Sequence, residues 1–211
     1  MGAVSSTNAP PDVKAASQAR GLVVGGYSTA AVGLLAFLTI NGASGTSTAA
    51  TIGTALLIAI GLLLPAAGML LLRRGLGPAK GATRYGFAMQ AFGLAGLLFG
   101  VVLLVVVPSL SGYFLSAAFV VTASVLAIAG AVLLRGHYIG TVASKARGGA
   151  YLILGTVLIF SGVGLIVGSD IAFEYLISQV ENTINVDIGA TVTACGCVLA
   201  AYSFFSLNSR S

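Results

Sequence analysis

Few residues in this chain could do chemistry, and their spacing limits what that chemistry could be. His137 is the only histidine among 211 residues. It stands in RGHYIG with no cysteine or carboxylate beside it, and one imidazole cannot supply the ligand set of a zinc-type metal site. Contact with water or lipid headgroups is its expected role. Cys195 and Cys197, in ACGCV, are two residues apart on an apolar stretch, so on a helix their thiols point to different sides. Disulfide formation and thiolate chemistry are both disfavoured there, and the two read as small packing residues. Four of the five carboxylates, Asp170, Glu174, Glu181 and Asp187, cluster in SDIAFEYLISQVENTINVD. A lipid-active enzyme would have to draw on Asp170, Glu174 or His137 at the membrane surface. No phosphate-cradling G-x-x-x-x-G-K-[ST], G-x-S-x-G elbow or H-E-x-x-H helix occurs. The expectation is a protein that is not an enzyme, with no catalytic residues, no metal and no cofactor.

The elements that would position these residues are transmembrane helices. Hydrophobic residues make up 57% of the chain and charged residues 7%, too little polar surface to cover a water-soluble globule. Six apolar stretches, about 21–43, 50–72, 85–107, 113–134, 148–169 and 188–207, reach the roughly 20 residues that a helix needs to cross the hydrocarbon core. None of them contains Asp, Glu, Lys, Arg or His. The fold class expected is all-α, a polytopic bundle of six transmembrane helices. Residues 1–20 have no apolar run and read as a flexible Ala/Ser-rich cytoplasmic tail, residues 208–211 as a short C-terminal one. Gly2 followed by Ser6 matches a myristoylation pattern, although one acyl chain adds little to a chain that spans the bilayer.

Charge gives the orientation. Lys14 and Arg20 precede the first stretch; Arg73, Arg74, Lys80 and Arg84 join the second to the third; Arg135, Lys145 and Arg147 join the fourth to the fifth; Arg210 follows the sixth. All ten basic residues thus fall on one side. Short basic loops remain cytoplasmic, so both termini are expected inside, in the plasma membrane. These cations are read as topology signals and headgroup contacts. They account for the net charge of +5, which therefore gives no reason to expect nucleic acid as a partner.

A repeat is visible as well. Ala19-Arg20, Thr83-Arg84 and Ala146-Arg147 open the odd-numbered helices, their arginines 64 and 63 residues apart. Farther in come VGLLAF (32–37), AGLLFG (95–100) and VGLIVG (163–168). This predicts three tandem helical hairpins in one orientation, related by an axis along the membrane normal. Gly21 with Gly25, Gly96 with Gly100 and Gly164 with Gly168 place small residues one turn apart, the spacing of close helix packing within a bundle or between copies. Pro65 predicts a kink near residues 61–65. Gln90, the one large polar side chain within a stretch, is expected to bridge two helices. Hydroxyls such as Thr39, Ser116, Thr122, Ser124, Thr191 and Thr193 can bond to their own helix or to a neighbour.

In residues 170–187, Phe173, Leu176, Ile177, Val180 and Ile184 recur at helical spacing opposite Glu174, Ser178, Glu181 and Asn185. Two readings are open: an outer-side amphipathic segment, interfacial or an extension of the fifth helix, or an element on which a partner docks. Six short helices in three glycine-rich hairpins, with VGLLAF and VGLIVG, resemble the HdeD-type small membrane proteins associated with acid resistance. That resemblance implies a stress-linked membrane role and transfers no catalytic residue. The functional expectation is a non-enzymatic structural or accessory subunit of a membrane assembly, or a stress-related membrane protein. Its partners would be the lipid bilayer and a second copy or other membrane subunits. The alternative is a facilitator or channel for a small uncharged solute.

Overall fold

The computed structural model describes residues 13–41, 48–76, 81–107, 109–136, 146–175 and 179–206. They build six helices: α1 (Val13–Asn41), α2 (Thr48–Arg74), α3 (Gly81–Val106), α4 (Leu110–Leu134), α5 (Ala146–Tyr175) and α6 (Gln179–Phe205). Each is long and apolar enough to cross a membrane. Their outward faces present Val32, Phe92, Val105, Phe114 and Val125 openly. So much contiguous apolar surface is untenable in water and ordinary in lipid. The chain is an integral membrane protein.

Packing is most extensive between α1 and α2, α3 and α4, and α5 and α6. Contacts of α2 with α3, α4 with α5 and α6 with α1 close the six into a ring, and α3 touches α5 across it. Each sequential pair is antiparallel: Gly33 of α1 faces Ile58 of α2, while Gly68 of α2 faces Ala19 and Val23 of α1.

The seams of these pairs are lined by glycines seven residues apart: Gly26 and Gly33; Gly61 and Gly68; Gly86, Gly93 and Gly100; Gly155 and Gly162; Gly189 and Gly196. In α4 the same spacing is kept by Ser116, Ala123 and Gly130. A seven-residue interval keeps one face toward a partner in a gently supercoiled pair. A Cβ added at Gly68 would fall 2.7 Å from the Ala19 carbonyl oxygen, one at Gly93 2.6 Å from the Ala127 Cβ, and one at Gly196 2.6 Å from the Ile159 backbone nitrogen. These helices meet backbone to backbone, where dispersion contacts replace a hydrophobic driving force that lipid cannot provide.

The glycine pairs expected from one-turn spacing are distributed differently. A Cβ at Gly21, Gly25, Gly164 or Gly168 would meet nothing within 4 Å, whereas one at Gly96 would lie 3.2 Å from the Ala123 Cβ and one at Gly100 2.9 Å from Val120 Cγ2. Only the α3 pair therefore lies in a seam of this chain. The packed glycines also shift against the arginines: Gly26 is six residues after Arg20, Gly93 nine after Arg84 and Gly155 eight after Arg147. The arginine interval thus does not carry over to the packing register.

Helix boundaries also shift. α1 begins at Val13, so Arg20 sits inside a helix and not ahead of one. α2 continues as helix on both sides of Pro65, and the proline ring is seated against Gly26 of α1, where any larger residue would collide. Most of 170–187 belongs to α5, which continues to Tyr175, and to α6, which starts at Gln179. Residues 170–175 thus extend the fifth helix, and residues 179–187 open the sixth. With 30 residues, α5 is about 45 Å long, some 15 Å more than the hydrocarbon core is thick.

Candidate functional site

Three places collect polar or accessible groups, each set up by the helix register. The first is buried. Gln90 on α3 is fully inaccessible, about 9 Å along the helix from Arg84. Its Nε2 donates to the Ala127 carbonyl of α4 at 2.7 Å and to Thr156 Oγ1 of α5 at 3.2 Å. Thr156 in turn donates to the Leu152 carbonyl at 2.8 Å. Because the Ala127 carbonyl can only accept, the amide orientation is fixed, and Oε1 has no hydrogen-bond partner among the described residues. Gln90 thus bridges three helices, one more than its sequence position suggested. Thr156, missed in the sequence, is the third participant; the hydroxyl-rich helices offered no way to single it out. The node is tightly filled, since a Cβ at Gly130 would lie 2.8 Å from the Gln90 backbone nitrogen. It leaves no space for a solute.

The hydroxyls otherwise serve the bundle. Ser116 donates to the Gly100 carbonyl at 2.7 Å, a second bond between α4 and α3. Thr39, Ser124, Thr191 and Thr193 donate within their own helices. Ser109 caps α4 by accepting from the Gly112 N–H.

The second place is the end of the ring where the cations gather. Arg20 lies in the second turn of α1, Arg73 and Arg74 end α2, Arg84 is in the first turn of α3, and Arg135 caps α4. The stem of Arg135 lies against Gly149 at the start of α5, so close that a Cβ there would sit 2.6 Å from its Cγ. Arg147 is the second residue of α5; Lys80, Lys145 and His137 lie outside the described residues. At this end α1 and α6 leave an open groove of about 380 Å³ lined by Ser17, Arg20, Gly21, Val24, Gly25, Phe204 and Phe205. Gly21 and Gly25 therefore border a groove and do not close a seam.

The third place is the opposite, carboxylate-bearing end. Ser169 Oγ donates to Asn182 Oδ1 at 2.6 Å, and Asn182 Nδ2 donates to Asp170 Oδ1 at 3.4 Å. This cluster ties α5 to α6 at the far end of their seam. Of the residues expected to dock a partner, Phe173 lies on α5 and Val180 on α6, while Leu176 and Ile177 are outside the described residues. Ile184, on α6, is 53% exposed. Of the two thiols, Cys195 faces outward and Cys197 is buried against the ring.

No protein-family model, curated protein or solved structure matches this chain, so the resemblance to HdeD-type proteins gains no support from comparison.

Proposed function

We propose that this protein is a non-enzymatic structural or accessory component of a membrane, its three hairpins closing with both termini on the cytoplasmic side of the plasma membrane. The observation that carries the reading is the way the ring is filled. Tyr27, Met69, Phe87, Leu94, Leu152 and Phe204 are fully buried, and glycine seams bring the helix backbones into contact around them. Such an interior favours a rigid scaffold over a solute pathway, which would need a polar or roomy lumen. Lipid and other membrane subunits, or a second copy, are its expected partners. The outward Gly164 and Gly168 offer a small-residue face for such a contact.

The orientation rests on the separation of charge, with arginines at one end of the ring and Asp170 and Asp187 at the other. A cysteine introduced at position 77 in a background lacking Cys195 and Cys197 should be protected from a membrane-impermeant maleimide in intact cells, and one at position 111 should react. The functional reading is tested by purification from native membranes together with liposome flux. A stable partner or homo-oligomer, with no flux of uncharged solutes above empty vesicles, is the expected result. A monomer that conducts a solute would overturn it in favour of a facilitator.

A further inference from the structure

We propose that Gln90 and Thr156 select the neighbour of the second hairpin, α3 with α4, so that three similar hairpins close into the ring in one order. The glycine seams make the hairpins comparable. Aligned on Gly26, Gly93 and Gly155, the position three residues before the glycine is Val23, Gln90 and Leu152, and the position one residue after it is Tyr27, Leu94 and Thr156. All six are buried. Val23, Tyr27, Leu94 and Leu152 belong to the hydrophobic core. The other two are polar, and they are bonded to each other: Gln90 Nε2 donates to Thr156 Oγ1 at 3.2 Å.

That bond passes between hairpins. Gln90–Ala127 and Ser116–Gly100 join α3 to α4, and Ser169–Asn182 joins α5 to α6, each inside its own hairpin. Gln90–Thr156 instead links the second hairpin to the third, where α3 touches α5 across the ring. By holding Ala127 of α4 and Thr156 of α5 together, Gln90 acts at the α4–α5 junction, the least extensive of the three contacts between hairpins. Apolar packing alone gives similar hairpins little reason to prefer one arrangement, because lipid covers an apolar face about as well as another helix does. A buried amide is more demanding: any other neighbour leaves a Gln90 N–H in hydrocarbon without its acceptor. In coiled coils a buried polar residue fixes register at a cost in stability, and the unpartnered Gln90 Oε1 is the corresponding cost here. The selection operates whether the closed ring serves as a scaffold or as a facilitator.

Cysteines at positions 135 and 149 report the junction in the full-length protein. A Cβ at Gly149 would lie 3.2 Å from the Arg135 Cβ, within a few tenths of an ångström of the separation a disulfide takes. Arg135→Cys with Gly149→Cys, in a background lacking Cys195 and Cys197, should be oxidised in isolated membranes to one product with the disulfide inside the chain. Gln90→Met together with Thr156→Val keeps the side-chain shapes and removes both polar partners. Added to the cysteine pair, these two changes should lower the ratio of intrachain disulfide to all other species by at least about threefold, the equivalent of one hydrogen bond between helices in a membrane. Disulfide-linked dimers or unlinked chains should take its place. Without the introduced cysteines, the same two changes should leave the unfolding midpoint at or above wild type. Thr156→Ser alone retains the hydroxyl and should give the wild-type pattern. An unchanged ratio in the Gln90→Met, Thr156→Val protein would overturn the proposal. So would a lowered midpoint or failure to recover that protein folded, since the pair would then hold the ring together without choosing its order. Loss of the intrachain product in Thr156→Ser would equally overturn it, by assigning the effect to packing.

Discussion

Replacing Gly61 by alanine should destabilise the bundle even though alanine is the better helix former. The added methyl carbon would collide with the backbone nitrogen of Ala30 and lie 2.5 Å from its Cα and 2.7 Å from its Cβ. Carbon atoms rest at about 3.5–4.0 Å, so α1 and α2 must separate by roughly 1 Å at that point. A gap of that size forfeits a quarter to a half of each dispersion contact nearby, and the seam also contains Gly26, Gly33 and Gly68. Overpacking of this kind costs about 1–3 kcal/mol, against about 1 kcal/mol recovered from helix propensity. The net expectation is a loss of up to about 2 kcal/mol for Gly61→Ala and a larger loss for Gly61→Leu. Gly164→Ala supplies the contrast, since its methyl enters open space and the propensity gain stands alone. Reversible unfolding in mixed micelles, followed by far-UV circular dichroism against denaturing detergent, would measure both. Equal midpoints for the two variants, or a Gly61→Ala midpoint above wild type, would refute the idea that backbone contact holds the hairpin together.

Other substitutions test the remaining polar features. Gln90→Met should leave stability unchanged or raise it by up to about 1 kcal/mol in the same assay. It removes an unpartnered buried acceptor, while Thr156 keeps its bond to Leu152. Gln90→Glu should prevent recovery of folded protein near neutral pH, because it places a carboxylate where no cation reaches. Asn182→Ala should cost about 1 kcal/mol through loss of the Ser169 bond, with faster amide exchange confined to the ends of α5 and α6. Gly162→Leu should fail to yield a compact protein, since its first added atom already collides with Thr193 and the Gly189 carbonyl. Gly168→Leu should fold normally, and any change in its oligomeric mass by light scattering would place a subunit contact on that face.

The six helices were legible because membrane insertion is a matter of length and apolarity, which sequence records directly. Their ends were less so. Arg20 and Asp170 are charged, yet each is carried on a helix that continues past the hydrocarbon boundary, and no charge forbids a helix there. The bridging role of Gln90 was also legible, since a buried amide must find partners. Which partners it finds depends on how α3, α4 and α5 turn toward one another, and a single sequence does not state that rotation.

The glycines show where the sequence reading went astray and which pattern would have corrected it. Spacing of four residues marks one turn of any helix, so Gly21 with Gly25 and Gly164 with Gly168 satisfied it although a Cβ at any of them would meet nothing within 4 Å. Spacing of seven is more demanding, because it must persist over two turns to hold one face against a partner. That interval recurs as Gly26 and Gly33, Gly61 and Gly68, Gly86, Gly93 and Gly100, Gly155 and Gly162, and Gly189 and Gly196. It occurs in all helices but α4, which keeps it with Ser116, Ala123 and Gly130. A seam specified in this way leaves the lipid-facing surface free to vary, since stability then depends on the absence of side chains along one line and not on the identity of those around it. Outward glycines are released from that constraint.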